Sequence, residues 1–480
     1  MRLPTIFIAL FVLGGCTLGP GYHGPPPVTA VTAGFVRMPG AATASSPSLA
    51  HWWTSFGDPV LNGLEERALR DHPSVAVAEA RLRQARAAAL LDRANKLPKN
   101  SASALYLHGE LPPTNLGLGN NDGGRSALDF YNLGFDASWE LDLFGAASGT
   151  VRATAAEAEA AETEVDDARL SLSADVAQAY LKLRDRQARL NLARLSTRLH
   201  QEEFASLNRR VAAGTAPTLE SQQLEPQIAQ SNGNVRDLAT ECDALLNALA
   251  VLTGQAPGAL DGELAATATT TVPLPPASVP VGDPSGLLRR RPDIRGAERQ
   301  LAARTARIGV AEAARFPRVS LMGLVGLGGS KPGDVLAPSN ISLLALPRLS
   351  WSFLDFGRNA ARVRQATGAR DEAEARYREV ILQALGNAED ALSRFGRSRS
   401  GFGDALSSRA TALAIAGRAD RAFAAGTIRR QEMLEYRRKL LTAEDALLQA
   451  KTAVGTDFVA LQKSLGLGWE PQLEQNQDVQ

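Results

Sequence analysis

The chain has 480 residues, 44% of them hydrophobic and 21% charged, with a formal net charge of +1 at pH 7. A balance this even offers no basic face for nucleic acid, and past the first residues no run is long and apolar enough for a membrane helix. If the chain enters a membrane, it does so as strands.

Met1-Arg2 and the apolar run Ile6 to Leu13 read as a secretory signal over residues 1–15, too short to span a bilayer. Leu13-Gly14-Gly15-Cys16 at its end resembles the bacterial lipoprotein cleavage box, so Cys16 is the expected lipidation site. Thr17 behind it is not the aspartate of the enteric inner-membrane retention rule, which favours sorting to the outer membrane. With Cys16 carrying the anchor, Cys242 remains as a packed free thiol.

Residues 16–58 are rich in Pro, Gly, Ser and Thr and read as a lipid-anchored tether that buries no core. It ends in the aromatic stretch His51-Trp52-Trp53 and in Asp58-Pro59, an N-cap followed by a first-turn proline. A helix is expected from Val60 to Lys96, bent at His72-Pro73.

From here the chain is written twice. His72-Pro73 is answered by Arg291-Pro292 and Pro98 by Pro317, at a spacing of 219 (317 − 98). Trp139 is answered by Trp351, Phe144-Gly145 by Phe356-Gly357 and Ala212-Ala213-Gly214-Thr215 by Ala424-Ala425-Gly426-Thr427, at a spacing of 212 (426 − 214). So many anchors at constant spacing define an internal duplication, with a length change between Pro98 and Trp139 that makes the first copy the longer one. The copies are residues 59–254 and 285–466. Residues 255–284 between them read as a linker, and 467–480 as a polar tail.

Each copy opens with strand-like alternation, within 99–139 and within 318–351. Tyr131, Leu133, Phe135, Ala137 and Trp139 alternate with Asn132, Gly134, Asp136 and Ser138, while Leu344 and Leu346 blur the same pattern in the second copy. Four such strands cannot close a membrane barrel, which starts at about eight, so a membrane reading requires several chains to share one. Each copy then turns helical, as hairpins over 151–252 and 363–465. Val151 to Ala213 contains neither proline nor glycine, and Leu172, Val176, Ala179, Leu183, Leu190 and Ala193 step along one face. The two Ala-Ala-Gly-Thr stretches read as hairpin tips, the glycine ending one helix and the threonine capping the next.

These elements resemble the TolC-type outer-membrane efflux channel family, in its lipoprotein branch of NodT- and OprM-like proteins. The likeness rests on Cys16, the His-Trp-Trp and Phe-Gly-Asp-Pro stretch, Arg291-Pro292-Asp293-Ile294 and the paired Trp, Phe-Gly and Ala-Gly-Thr elements. It implies a mainly α fold with a small membrane β part: a homotrimer sharing a twelve-stranded barrel in the outer membrane, continued by a periplasmic helical barrel. It implies as partners a periplasmic adaptor, an inner-membrane pump and outer-membrane lipid. The likeness further points to Glu432 and Glu435, with Glu220 and Gln223 of the first copy, as a ring narrowing the periplasmic mouth. Gly214, Thr215, Gly426 and Thr427 become adaptor-docking tips. Arg429 and Arg430 do not fall where the family's arginine locks would place them.

Nothing in the residues themselves argues for catalysis or a cofactor beyond the lipid on Cys16. There is no Gly-x-x-x-x-Gly-Lys-Ser/Thr loop and no His-Glu-x-x-His site, and the histidines at 23, 51, 72, 108 and 200 lack metal-ligand spacing. The expected function is therefore a passive exit duct for drugs or small metabolites in a tripartite efflux system. The alternatives are the duct of a protein-secretion system or a lipid-anchored periplasmic scaffold without a pore.

Overall fold

The computed structural model describes residues 18–27, 34–40, 42–43, 45, 50–111, 126–268 and 271–469. The signal, Cys16, the loop 112–125 and residues 470–480 of the tail lie outside the described residues.

In chain order the elements are β1 (Ala42–Thr43), a 3-10 turn (Trp52–Phe56), α1 (Pro59–Asp71), α2 (Pro73–Asn95), β2 (Lys99–Leu111), β3 (Ser126–Leu141) and α3 (Ala146–Ala212). The first copy finishes with α4 (Thr218–Gln222) and α5 (Leu224–Leu252), followed by α6 (Asp261–Ala266) and β4 (Val279–Pro280). The second copy runs α7 (Pro284–Arg290), α8 (Pro292–Ala313), β5 (Arg318–Gly329), β6 (Ile341–Ser350), α9 (Arg358–Ala424) and α10 (Arg430–Ser464). The helices α3 and α9 have 67 residues each, so each is about 100 Å long.

The chain forms two compact units. The first holds the described residues within Met1–Pro26, Leu82–Ala161 and Ala297–Tyr377, and with them a four-stranded antiparallel sheet in the order β2-β3-β5-β6. The two hairpins of the duplication thus lie side by side, joined at the β3–β5 seam where Trp139 faces Leu321 and Phe135 faces Val325. The duplication is repeated in hydrogen bonds: the Trp139 indole N–H donates to the Lys96 carbonyl at 2.9 Å, and the Trp351 indole N–H to the Arg315 carbonyl at 3.0 Å. Each tryptophan so satisfies a carbonyl left open near the end of the helix that precedes its hairpin.

The second unit holds the described residues within Pro27–Arg81, Glu162–Gly296 and Arg378–Gln480. Its core is built on Leu172, Val176, Ala179, Leu183, Leu190 and Ala193 of α3, the stripe that the sequence singles out. Trp52 and Phe56 meet Phe458 of α10 edge-on, at 6.1 and 5.4 Å between ring centres. Cys242 is buried in the same core. Asp58 caps α1 as expected, accepting from the Val60 and Leu61 amides, and its other oxygen accepts from the Tyr180 hydroxyl at 2.6 Å.

Five expectations need correction. The helix expected over 60–96 is not bent but broken: His72, held at ψ 129 before Pro73, ends α1, and α2 starts at the proline. The returning helix of the first copy is interrupted at Gln223, because Pro226 in the first turn of α5 offers no N–H to the preceding turn. Arg438 stands at the equivalent place in the second copy, and α10 runs unbroken. Residues 255–284 are more than a linker, and the tether is more than a tether. The β1 strand pairs in parallel with β4, and Phe35, Ala42, Leu260, Leu264, Val272 and Val279 are buried in the core. Lastly, the tail starts later than residue 467. Leu467 is buried, and so is Trp469, whose ring lies 5.0 Å under the Arg295 guanidinium.

A carboxyl occupies the core face of α1. Leu61, Leu64, Glu65 and Ala68 are all fully buried, and neither oxygen of Glu65 has a hydrogen-bond partner among the described residues. Burial pushes this carboxyl well above the usual carboxylate range, so it folds uncharged. Its folded value is raised and its unfolded value ordinary, so the folded state suffers nothing in acid and loses stability as pH rises past the ordinary carboxylate value. Thermal unfolding should show this: Glu65→Leu raises Tm at neutral pH and flattens the decline, and an undiminished pH slope in the variant would contradict it. Glycine gives a second check. At Gly254, with φ +72°, a Cβ would sit 2.6 Å from the Asp71 carbonyl oxygen, so Gly254→Ala should cost about 1–3 kcal/mol. Gly63, inside α1 with open space around it, should give the opposite sign, Gly63→Ala gaining about 0.4–1 kcal/mol.

Candidate functional site

Two regions carry the candidate features. In the first unit, register sorts the side chains of the sheet onto two faces, since directly paired residues share a face. One face carries Leu133, Phe135 and Trp139 of β3, Leu321, Val325 and Leu327 of β5 and Ile341, Leu343 and Leu349 of β6. Phe135 is 70% exposed, Leu343 78% and Leu349 67%. An apolar surface this continuous, on strands of 10 to 16 residues, has the length and character of a membrane-facing wall. The opposite face carries Lys99, Ser101, Asn132, Gly134, Asp136, Ser138, Ser320 and Arg348. The outer edges of β2 and β6 pair with no other strand among the described residues.

In the second unit, both tips have the same cap. The Thr215 amide and hydroxyl donate to the Arg210 carbonyl at 2.8 and 3.0 Å, and the Thr427 amide and hydroxyl donate to the Ala422 carbonyl, both at 2.9 Å. Gly214 and Gly426 supply left-handed φ values of 69° and 71°, the C-terminal Schellman arrangement. The expectation that each threonine caps the following helix is therefore wrong. The hydroxyl turns back onto the helix that has just ended, and the next helices start from Pro217 and Arg429. Gly214, Thr215, Gly426 and Thr427 are all exposed, so the capped turns present a firm surface.

The acidic candidates are placed as follows. Glu432 is exposed in the first turn of α10, where its carboxylate accepts from the Arg429 amide at 3.3 Å. Glu435 is exposed one turn on and pairs with Lys439 at 2.8 Å, a hydrogen bond and charge that hold its carboxyl below its ordinary value. Glu220 is half-buried in α4 and Gln223 is exposed at the α4–α5 break. No hydrogen bond joins any two of these four among the described residues.

Around them lies a set of ion pairs that the linear sequence did not reveal. Arg438 of α10 bonds to Glu203 of α3, whose side chain is only 7% exposed. Arg430 approaches Glu202 at 3.5 Å, Arg437 meets Asp420 at 2.9 Å and Arg189 meets Asp445 at 2.6 Å. The partners are up to 256 residues apart, so no local spacing could have found them; the arginine-rich Arg437-Arg438-Lys439 run was the available signal. His200 sits on the same turn of α3 as Glu203, and burial followed by the nearby Arg438 holds its imidazole below the ordinary value. It stays neutral, leaving Glu203 to Arg438.

Removing one member of a buried pair strands the other. Arg438→Ala should lower unfolding stability by about 3–5 kcal/mol, and adding Glu203→Leu should recover most of that loss. A single substitution within about 0.5 kcal/mol of the parent, measured by denaturant titration, would show that the pair has no such weight.

Comparison with known proteins bears on these features together. A family model described as outer membrane efflux protein matches residues 64–255 and 284–467. The chain is 29% identical over 476 residues to the pyoverdine export outer membrane protein OpmQ of Pseudomonas aeruginosa, covering 98% of each chain. It is 27% identical over 481 residues to nodulation protein T of Rhizobium leguminosarum bv. trifolii, again covering 98% of each. Among solved structures, the outer-membrane channel OprN superposes with a TM-score of 0.84 at 32% identity, over 95% of this chain and 100% of that one.

Proposed function

The chain belongs to the outer membrane efflux protein family and is an outer-membrane efflux duct, and we propose that three copies close one conduit that exports small molecules for an inner-membrane pump through a periplasmic adaptor. The observation that carries the assembly is the sheet itself. It is four-stranded, apolar on one face, and open at β2 and β6. In a bilayer every unpaired backbone N–H and C=O costs several kcal/mol, so such a sheet is stable there only when its edges meet. Three copies joined edge to edge give twelve strands, within the size range of closed membrane barrels. No helix among the described residues is long and apolar enough to cross a membrane.

The remaining parts follow from that frame. Cys16 is the lipid anchor in the outer membrane. The capped turns at Gly214-Thr215 and Gly426-Thr427 dock the adaptor. Glu432 and Glu435, near Glu220 and Gln223, ring the periplasmic mouth, where repelling carboxylates hold cations or resist closure. Energy comes from the pump, and the duct works without chemistry of its own. Pyoverdine export, in the name of one relative, fits a small-metabolite cargo.

Planar-bilayer recording tests this reading. The purified full-length protein should migrate as a trimer and conduct, with Glu432→Ala/Glu435→Ala changing conductance and cation preference. A trimer that never conducts, with or without those changes, would overturn the duct. Separately, Cys16→Ser should abolish incorporation of labelled palmitate while leaving the helical content intact.

A further inference from the structure

The inner wall of a membrane barrel is ordinarily polar, and most of this sheet's polar face obeys that rule. It is broken in two places: at Leu105, Leu107 and Phe130 on the far halves of β2 and β3, and across β5 and β6, where a cavity adjoins the apolar side chains. Met322 pairs with Leu346 and Leu324 with Leu344, side by side across β5 and β6. All four point to the face that also carries Ser101, Asp136 and Ser138. Met322, Leu344 and Leu346 are each 47–49% exposed. With Leu324 they line a cavity of about 510 Å³ on that face, within the ~300–1,000 Å³ of small-molecule sites.

Two charged groups line the same cavity, and their positions differ. Asp136 is the direct cross-strand neighbour of Leu324 and so borders the apolar patch. Its carboxylate has no hydrogen bond or ion pair among the described residues. Lys99 lies one strand further out, separated from Met322 by Ser138. A molecule resting on the four apolar side chains therefore has a carboxylate beside it and the lysine ammonium beyond.

We propose that this patch is a binding site inside the exit duct for amphipathic cations, with the apolar body on Met322, Leu324, Leu344 and Leu346 and the positive group at Asp136. The proposal rests on the duct reading, which makes this face the lumen. Three sites per conduit would give lipophilic cations a last resting place before release and would retard those cargoes relative to polar ones. The energetic basis is ordinary: a few apolar groups removed from water plus one exposed charge contact, which gives a weak site from which cargo leaves readily.

The test uses the full-length protein in lipid nanodiscs, with Ser138→Cys carrying an environment-sensitive fluorophore, since Cys242 is buried. Titration with tetrapentylammonium should give a saturable spectral shift, and tetraphenylborate, an apolar anion, a shift about tenfold weaker or less. Asp136→Asn, which keeps the shape, should erase the preference for the cation. Leu324→Ser/Leu344→Ser should weaken binding of the ammonium by about tenfold. No saturable shift in the otherwise unchanged protein, a preference for the anion, or an unchanged response in Asp136→Asn would each overturn the site. Bilayer recordings separate the two levels of failure. A channel that conducts and is not slowed by tetrapentylammonium removes the site and leaves the duct, whereas a protein that never conducts removes the duct.

Discussion

A backbone polar group in hydrocarbon must be paired, and that constraint organises everything else about this chain. The sheet β2-β3-β5-β6 pairs its own interior fully but stops at two bare edges. Its membrane-facing side is Leu, Val, Phe and Trp, and nothing else among the described residues covers that side. A chain built this way has a reason to assemble that precedes any specific contact. Duplication serves the same end, since each hairpin of two strands becomes four by pairing at the β3–β5 seam.

The helical part is held by different physics. In the second unit a stripe of Leu, Val and Ala on α3 packs against α1, α5 and α10, with Trp52 and Phe56 wedged onto Phe458. Alanine gives close helix contact and little side-chain entropy to lose. Near the tips the apolar core shrinks to Leu199, Met433, Leu434 and Leu441, and ion pairs between α3, α9 and α10 take a larger share. Pairs such as Arg438–Glu203 respond to charge and solvent in a way that Leu contacts do not, which suits the region proposed to dock a partner.

Much of the architecture was legible in the residues, and the reason is repetition. A spacing of 212 locates both tips and both Trp elements without any knowledge of contacts, and alternation at Tyr131 to Trp139 gives the strand. The errors came where long-range pairing decides the structure. The pairing of β1 with β4 joins residues over 230 apart and turned a nominal linker and tether into core. The threonine hydroxyls at the tips had two backbone targets, and the left-handed glycine directs them to the helix already finished. Leu344 and Leu346, which disturbed the alternation, were accurate reports of where those side chains go: they lie on the polar face. The ring proposed for Glu432 and Glu435 rests on likeness alone, because a ring around an axis would form between chains.

One difference between the copies has a consequence for symmetry. The tips at Gly214 and Gly426 share the same hydrogen bonds, but they lead into unlike returning helices, one broken near Pro226 and the other continuous through Arg438. In a ring of three chains, a partner that touches only the turns would meet six equivalent places. A partner that reaches the returning helices would meet two kinds of place, alternating, with threefold order. A single channel can therefore present itself as a hexamer or as a trimer, depending on how far along the hairpin its partner reads.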